Sequence, residues 1–323
     1  MIRVGFIGTG RISTVHLRYL KTQPDVTIVA LCDVSPDNLK QRQREFGGTP
    51  YHDFRQMLAH ESLDAVWLCT PPQVRLEPLI ACAARAIPVF CEKPVERDLN
   101  RARLIADQLA HHNARIMIGY PFRCLPLIPH IRRVLAEDRV HLVTSLYACP
   151  MSLDRSFPAW FFDKNLSGGA LVDQATHNLD LLRSLLGEVS HVAGIAANPV
   201  SPKSPSYSID ETIALTLFFH AGITATHVHS WVADKWRNEI TFSAEKHFLR
   251  LDLFAGTLQI QSPTGDTLLS YNPNHLYHFE NEQFLAMLRS GDWSSNPCTF
   301  HDALRTLELT LRCDAVLTPM SPH

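Results

Sequence analysis

The sequence predicts an α/β protein of two domains: an N-terminal doubly wound parallel sheet and a C-terminal α/β domain with a large, mostly antiparallel open sheet. Three observations lead to this prediction. The chain of 323 residues exceeds the usual size of one domain. Its first part alternates short apolar runs with segments of helical period, and its second part carries long alternating runs. The change near Arg123 places the domains at 1–123 and 124–323.

Composition and charge narrow the class of protein. Apolar residues make up 46% of the chain and charged residues 19%, with a formal net charge of −2. These values are typical of a globular protein and argue against a nucleic-acid-binding face. No apolar run reaches the ~20 residues that a membrane helix needs, and the N-terminus lacks the features of a signal peptide. Eight cysteines without a Cys-x-x-Cys pair favour a reduced, cytoplasmic protein.

Strand-like and helix-like segments alternate strictly in the first domain. The apolar runs lie at 4–8, 26–32, 65–69, 89–91 and 116–119, and the helical segments at 12–21, 38–46, 74–86 and 99–112. This alternation predicts parallel strands with helices on both faces. In such a sheet, ligands bind beyond the carboxyl ends of the strands.

The first turn carries a dinucleotide-binding pattern, the run GTGRIS at residues 8–13. Gly8 allows the tight turn, and Gly10 lets the backbone approach a pyrophosphate at the helix N-terminus. Ser13 stands where the pattern has its third glycine. Asp33 ends the second strand at the expected distance, where a carboxylate would accept hydrogen bonds from a ribose and repel a 2′-phosphate. NAD is therefore favoured over NADP.

Two further strand ends carry polar residues. In the run VFCEKP at 89–94, Pro94 disfavours a helical conformation at Lys93, so the strand should end there with the ammonium at the rim of the sheet. A lysine at this edge can offset the charge of a developing alkoxide, although a surface lysine after an edge strand fits the same pattern. Thr70, Pro71 and Pro72 close the preceding strand at the same edge.

The second domain begins with a helical segment at 126–137. Alternating runs follow at 140–147, 213–220, 223–231, 238–242, 248–253 and 257–260, and helices close the chain at about 275–290 and 302–317. This pattern predicts an antiparallel sheet with one covered face. His227 and His229 share a face at strand spacing, and we interpret them as sheet surface rather than as metal ligands.

The run GGALVDQATHNLD at 168–180 interrupts the strand pattern. A helix is predicted here, with Gly187 as its C-cap. Asp173, His177 and Asp180 share one helix face, where a carboxylate one turn before an imidazole can orient it or raise its basicity. A solvated polar face would show the same spacing. The paired glycines, however, favour close approach of a ligand or another backbone.

The turn at 8–13, the run EKP at 92–94 and the run at 168–180 together resemble the glucose-fructose oxidoreductase, inositol dehydrogenase and rhizopine catabolism (Gfo/Idh/MocA) family over nearly the whole chain. The resemblance implies a Rossmann domain, a C-terminal sheet that joins a homodimer or homotetramer, and hydride transfer between NAD(P) and a sugar, an inositol-like polyol or a related small carbonyl. It also implies that Lys93 is the catalytic lysine, that Asp173 binds the substrate hydroxyl and that His177 is the acid/base.

The candidate site residues follow from these motifs. The candidate cofactor-binding residues are Gly8, Gly10, Arg11, Ile12, Asp33, Thr70, Pro71, Glu92 and Lys93. The candidate substrate-binding residues are Arg123, Trp160, Asp173 and His177. No metal ligand is predicted. The chain departs from the family's common Thr-Pro-Asn-x-x-His motif, because Pro72 and Arg75 replace the asparagine and the histidine.

Two alternatives to a dehydrogenase share the fold. An NAD-dependent glycoside-cleaving enzyme needs the same hydride steps, so the sequence separates it poorly. A non-catalytic NAD-binding regulator would be expected to lose the lysine or the histidine, and both are present here. The leading interpretation is an NAD(P)-dependent dehydrogenase that acts on a CH–OH group. The sequence leaves the substrate open, because one chain does not reveal which loop residues face it.

Overall fold

The computed structural model describes residues 1–154 and 158–320. The chain forms two compact units: unit 1 is Met1–Cys124 with Leu276–Arg305, and unit 2 is Leu125–His275 with Thr306–His323. The sequence-based division at 123/124 lies beside the first break. A continuous reading of the sequence does not reveal that the segment beginning at Leu276 belongs to unit 1.

Unit 1 is built on a six-stranded parallel sheet, which confirms the predicted doubly wound architecture. The strand order is β3-β2-β1-β4-β5-β6, and every neighbouring pair is parallel. The strands are β1 (Ile2–Ile7), β2 (Val26–Cys32), β3 (Thr49–Tyr51), β4 (Ala65–Leu68), β5 (Val89–Glu92) and β6 (Ile116–Gly119). The strand order reverses between β1 and β4, which is where a sheet of this kind binds its ligands.

The helices of unit 1 begin and end close to the predicted positions. They are α1 (Arg11–Lys21), α2 (Pro36–Phe46), α3 (Phe54–His60), α4 (Leu76–Ala83) and α5 (Leu99–Ala110). Helix α2 begins two residues before its predicted start, because Ser35 caps it by accepting a hydrogen bond from the Asn38 N–H and Pro36 takes the first helical position. The sequence analysis missed β3 and α3.

The aromatic core of unit 1 joins both of its segments. Phe6, Trp67 and Phe90 lie on adjacent strands, are fully buried and stack at 5.8 and 6.1 Å between ring centroids. Phe284, on the late helix α9 (Leu276–Ser290), packs edge-on against Trp67 at 5.0 Å. Burying such a side chain contributes about 2 kcal/mol or more to folding. Helix α9 is therefore part of this core.

Unit 2 contains a large, mostly antiparallel sheet, as predicted, and its nine strands include three that the sequence analysis missed, β8, β14 and β15. Its order is β14-β13-β12-β11-β7-β10-β9-β8-β15, with only β7–β10 and β8–β15 parallel among these pairs. The strands are β7 (Val140–Ala148), β8 (Val189–Ala197), β9 (Thr212–Phe219), β10 (Thr224–Ser230), β11 (Arg237–Ala244), β12 (Phe248–Asp252), β13 (Thr257–Gln261), β14 (Thr267–Ser270) and β15 (Leu317–Pro319). Its helices include α6 (Ile128–Glu137), α7 (Lys164–Ser167) and α8 (Thr176–Leu186), while α10 (Phe300–Ala315) runs from unit 1 into unit 2.

One face of the unit 2 sheet is covered. His227 and His229 do share a face, as predicted, but both are fully buried, so their interpretation as sheet surface is wrong. The reason is that the hydrophobic neighbours in β9, such as Leu215 and Leu217, are buried on this same sheet. Burial lowers the pKa of His227 to about 4. None of the helices in the described part of the chain combines the length and hydropathy needed to span a membrane.

Candidate active site

The turn between β1 and α1 has the conformation that the glycine pattern predicts. Gly8 has φ +89°, and a Cβ there would lie 2.7 Å from the backbone carbon of Cys69, so only glycine fits. At Gly10 a Cβ would meet no described heavy atom within 4 Å, which leaves open space before the first turn of α1. Helix N–H groups that face open space suit a phosphate. Ser13 is buried and donates a hydrogen bond to the Gly10 carbonyl.

A cavity of about 490 Å³ adjoins this turn. Its lining combines the turn and α1 with α2, and consists of Gly10, Arg11, Thr14, Val15, Arg18, Asn38 and Arg42. Three arginines line this cavity, and two of them, Arg18 and Arg42, also form ion pairs with Glu45 at 3.6 and 3.5 Å. The size of the cavity and its guanidinium donors fit part of a dinucleotide.

Asp33 lies just beyond β2 and is tied to the same turn. Its Oδ2 accepts hydrogen bonds from the Thr9 N–H at 2.6 Å and the Thr9 hydroxyl at 2.9 Å. Its Oδ1 accepts one from the Ser35 N–H at 2.8 Å. The carboxylate is therefore held beside the glycine turn, at the carboxyl end of β2.

Thr70 and Pro71 follow β4, the next strand in the sheet. The Thr70 hydroxyl oxygen is buried and has no hydrogen-bond partner among the described residues. Its carbonyl accepts two hydrogen bonds from the Arg75 guanidinium. A buried hydroxyl that lacks a protein partner is a group that a bound ligand can satisfy. Together with the open turn at Gly10, this fits a nicotinamide dinucleotide at this sheet edge.

Lys93 comes directly after β5, as the sequence predicts, and is half-buried. Its backbone N–H donates to the side chain of Glu92 at 3.2 Å. Glu92 is buried, and burial alone would raise its pKa. The hydrogen bond from His16 and the positive charges of Lys93 and Arg75 outweigh this and lower the pKa of Glu92. The Glu92 carboxylate therefore lies next to the backbone of Lys93.

A hydrogen-bond chain fixes the tautomer of His16. The Trp67 indole N–H can only donate and points to Asn281 Oδ1 at 2.9 Å. The Asn281 amide nitrogen then donates to His16 Nδ1 at 2.9 Å, so the neutral ring carries its proton on Nε2. That Nε2–H donates to Glu92 Oε1 at 2.9 Å.

Glu280 completes this cluster, in which His16, Glu92 and Glu280 each have one atom within 4.8 Å of the others. Burial, and then the charge of Glu92, raises the pKa of Glu280 well above its ordinary value, which favours its protonated form. Both carboxyl oxygens of Glu280 are buried without a hydrogen-bond partner among the described residues. The distances would suit a metal ion, but Nε2 of His16 already donates its proton to Glu92 and has no lone pair for one.

In unit 2, Asp173 and His177 lie on consecutive turns of one helical segment. Residues Leu171–Ala175 form a π-helical turn that leads into α8. Asp173 and His177 are half-buried, while Asp180 is fully buried and accepts a hydrogen bond from the Thr306 hydroxyl at 2.7 Å. Asp180 is therefore engaged by α10, whereas Asp173 and His177 keep part of their surface exposed.

The paired glycines before this segment have a backbone explanation. Gly168 has φ +85° and caps α7, and Gly169 has φ +68°. A Cβ on Gly168 would lie 2.8 Å from Val172 Cβ. The glycines are therefore required by the local turn itself, without a ligand.

A ladder of buried amides holds α8 against the sheet. Asn178, next to His177, exchanges hydrogen bonds with Asn238 at 2.8 and 3.0 Å and donates to the Ser145 hydroxyl at 2.9 Å. Ser145 in turn bonds His227 Nδ1 at 2.9 Å. All four of these side chains are buried. This network fixes the position of the helix that carries His177.

The two remaining candidates differ in environment. Arg123 is buried, forms an ion pair with Asp302 and donates to the Pro297 carbonyl at 2.9 Å. Trp160 is 51% exposed on a short 3₁₀ turn and packs edge-on against Phe161. Arg123 therefore lies in the packing of unit 1, and Trp160 offers an accessible aromatic face in unit 2.

Sequence reasoning missed several residues of these networks. Arg75 was noted only as a departure from a motif, and Asn178, Asn238, Glu280 and Asn281 were not singled out. A buried arginine cannot be recognised from spacing, because its partners are backbone carbonyls. Asn178 directly follows His177 in α8, and this adjacency was the signal that the sequence offered for it.

Two family models match the chain, one for each part. The model described as the oxidoreductase family with an NAD-binding Rossmann fold (GFO_IDH_MocA) matches residues 2–120, and the GFO/IDH/MocA C-terminal domain matches residues 136–250. The chain belongs to the GFO/IDH/MocA oxidoreductase family. It is therefore an NAD-binding oxidoreductase by family, and the expected resemblance is confirmed.

Relatives and solved structures agree with this assignment. YrbE of Bacillus subtilis, described as an uncharacterized oxidoreductase, is 26% identical over 94% of this chain and 91% of its own length. The inositol 2-dehydrogenase of Rhizobium meliloti is 29% identical over 58% of this chain, and the match spans 56% of that enzyme. A levoglucosan dehydrogenase solved with NADH and levoglucosan has a TM-score of 0.85 at 20% identity, covering 98% of this chain and 96% of that one. This last likeness supports the fold.

Proposed function

We propose that the protein is an NAD-dependent dehydrogenase that interconverts a secondary hydroxyl of a sugar or inositol-like polyol with the corresponding carbonyl. One observation carries the proposal. In unit 1 the residues Gly8, Asp33, Thr70 and Lys93 follow the neighbouring parallel strands β1, β2, β4 and β5 at their carboxyl ends. This edge is where a doubly wound sheet binds a dinucleotide, and a lysine placed there meets its reactive end.

Each catalytic residue has a separate task in the proposed reaction. His177 removes the proton of the substrate hydroxyl as general base. Lys93 and Asp173 hold that hydroxyl, and the ammonium of Lys93 offsets the negative charge that develops on its oxygen. This matters because a hydride departs readily only from a carbon whose oxygen approaches an alkoxide. NAD⁺, when bound, accepts the hydride. Trp160 provides an apolar face for a sugar ring, and Arg123 supports the fold from within unit 1.

The preference for NAD over NADP is part of the proposal. It rests on Asp33, whose carboxylate is held beside the glycine turn and would repel a 2′-phosphate. Gly10, Arg11 and Ile12 would bind the pyrophosphate at the start of α1, while Pro71 and Glu92 shape the nicotinamide side of the sheet edge.

We further propose a homodimer or homotetramer joined through the open face of the unit 2 sheet, in a reducing compartment such as the cytoplasm. Seven of the eight cysteines are buried, where a reduced thiol packs as a small apolar group, and this suits a reducing environment. The open face carries exposed apolar side chains, among them Phe218 and Val228.

The test is a panel of inositols, sugars and anhydrosugars assayed for net NADH formation with NAD⁺ and for NADH consumption with the matching carbonyls. Net NADH from at least one polyol supports the proposal. A glycoside-cleaving enzyme would instead release sugar without net NADH, and a regulator would bind NADH without turnover. Either of those outcomes would replace the proposed activity.

A further inference from the structure

Arg75 makes an unusual set of contacts for an arginine. It stands just before α4, is 2% exposed, and directs its guanidinium to backbone carbonyls on two separate turns. On the turn after β4, the Thr70 carbonyl accepts from Nε at 3.0 Å and from Nη2 at 2.6 Å. On the turn after β5, the carbonyls of Glu92 and Pro94 accept from Nη1, and that of Lys93 from Nη2 at 3.4 Å.

These contacts enclose the one residue that the proposed mechanism takes from unit 1. The carbonyls of Glu92, Lys93 and Pro94 are three consecutive groups, so one guanidinium fixes the backbone on both sides of Lys93. The planar fork of arginine can do this, since its five N–H donors lie in a rigid arrangement. A lysine ammonium is a point charge and cannot hold two turns in the same geometry.

The burial of the positive charge of Arg75 also indicates that this side chain has a specific role. A buried cation is costly unless it is hydrogen-bonded or paired, and here its only described hydrogen-bond acceptors are carbonyl oxygens. The positive charge is close enough to Glu92 to help lower the pKa of that carboxyl. If the two turns needed only a packed connection, an apolar side chain would fill this space without burying a charge.

We propose that Arg75 is a positioning residue of the hydride-transfer reaction, tying the turn that carries Lys93 to the turn after β4. This inference rests on the proposed dehydrogenase function. Arg75 does not touch the substrate in this proposal. It acts through Lys93, whose ammonium must lie within hydrogen-bond reach of the reacting oxygen, and a displacement of about 1 Å there can cost about 100-fold in rate.

The first experiment compares the kinetics of three variants with those of wild type. Arg75→Met keeps the length of the apolar stem and removes all donors, Arg75→Lys keeps the charge, and Arg85→Met is the matched control. Arg85 follows the same helix, is exposed and donates to one carbonyl, that of Ala81. We expect kcat to fall about 30-fold in Arg75→Met and less in Arg75→Lys, with both KM values within about threefold of wild type. Arg85→Met should match wild type.

A double-mutant cycle separates positioning from a general structural role. If Arg75 acts through Lys93, then Arg75→Met should lower kcat by no more than about twofold when Lys93 is already alanine. An equal loss of kcat in both backgrounds would overturn the proposal. So would a rise in KM with kcat unchanged.

A third measurement does not depend on turnover. An amine-acylating reagent is applied to the NADH-bound protein, and modification of Lys93 is followed by peptide mass spectrometry, with the exposed Lys40 of α2 as internal reference. Arg75→Met should free the turn after β5 and so raise the acylation rate of Lys93 about fivefold relative to that of Lys40. Arg75→Lys should raise the acylation rate of Lys93 by a smaller factor. If Arg75→Met does not fold, the acylation rate of Lys93 in Arg75→Lys tests the proposal by itself.

The outcomes distinguish the two proposals. A wild type that turns over no panel substrate, together with a faster Lys93 rate in the variants, refutes the dehydrogenase function and leaves the role of Arg75 in place. Unchanged Lys93 acylation in a variant that binds NADH normally refutes the role of Arg75, whatever the activity.

Discussion

The Asp33 carboxylate accepts hydrogen bonds from both donors of Thr9, so it serves the glycine turn before any cofactor arrives. It is also the group that should exclude a 2′-phosphate. Under the proposed function, cofactor choice depends on this one carboxylate, which is held beside the glycine turn at the carboxyl end of β2.

For cofactor preference, we expect wild type to show a kcat/KM for NAD(H) at least about tenfold above that for NADP(H), which corresponds to about 1.4 kcal/mol. Replacing Asp33 by serine together with Val34→Arg should narrow this gap, because the repelling charge becomes an attracting one. Asp37→Ser with the same arginine is the control, since Asp37 is exposed on α2. A wild type that prefers NADP(H) tenfold would contradict the proposal.

For catalysis, Lys93→Ala and His177→Ala should each lower kcat by about 100-fold or more, the usual scale for an acid/base or charge-stabilising group. NADH affinity should stay nearly unchanged, as measured by fluorescence titration. His177→Ala should also flatten the rise of alcohol oxidation with pH, because solvent then takes the proton. His191→Ala, an exposed position on β8, serves as control. A loss of less than about threefold in both variants would make these residues structural.

For single elements, the sequence predicts a feature well when the residues that determine it lie within one segment. The prediction that a helix ends at Gly187 is confirmed, because α8 ends at Leu186 and Gly187 has φ +89°. The π-helical turn before α8 was not predicted, since apolar periodicity does not resolve one inserted residue. The partner of Asp180 was not predicted, because Thr306 lies far along the chain.

The candidate site shows the same limit. The motifs located Gly8, Asp33 and Lys93 at strand ends, because parallel strands place their carboxyl ends at one edge. The contacts of Arg75 and the chain from Trp67 to His16 depend on tertiary packing. Neither leaves a periodic or compositional trace in the sequence.

His227 lies on the covered face of β10, and its burial should make the free energy of unfolding depend on pH. The unfolded chain protonates His227 near pH 6.5, whereas the folded protein does so only near a pKa of about 4. The unfolded state thus binds more protons in this window, and the stability contribution of the neutral ring is lost as pH falls from 6.5 towards about 4. Burial also lowers the pKa of His229, which acts in the same direction.

We expect His227→Asn, which keeps a polar group facing Ser145, to weaken this dependence. Between about pH 7 and about pH 5, the free energy of unfolding of wild type should fall by about 2 kcal/mol more than that of the variant. Urea denaturation at the two pH values measures it. The exposed His191→Asn should behave as wild type, and equal slopes for all three proteins would show that His227 is not the titrating group.

For the whole molecule, we expect a partner to cover the open face of the unit 2 sheet. Its exposed apolar residues alternate with buried ones along neighbouring strands and include Leu142, Ile195, Phe218 and Val228, each between 38% and 46% exposed. Exposed apolar residues that cluster on one sheet face are a feature of protein–protein interfaces. A second copy of the chain would bury it, as the proposed assembly requires.

We therefore expect wild type to be a dimer or tetramer by light scattering at micromolar concentration. Phe218→Lys combined with Val228→Lys should yield monomers, because four lysines would face one another in a twofold interface of this sheet. Leu104→Lys, an equally exposed apolar position on α5, should leave the assembly intact. A monomeric wild type would refute the proposed assembly.

The two-segment construction of unit 1 has a consequence during protein synthesis. Trp67 and Phe90 leave the ribosome early, but Phe284, against which both pack, emerges only after all of unit 2 up to His275 has been made. A nascent chain stopped before Leu276 should therefore expose this aromatic cluster, remain sensitive to protease and bind chaperones that recognise apolar surface. A chain released beyond Arg305 should become resistant. Translation thus leaves the nucleotide-binding unit incomplete until the long first segment of unit 2, Leu125–His275, has been synthesised.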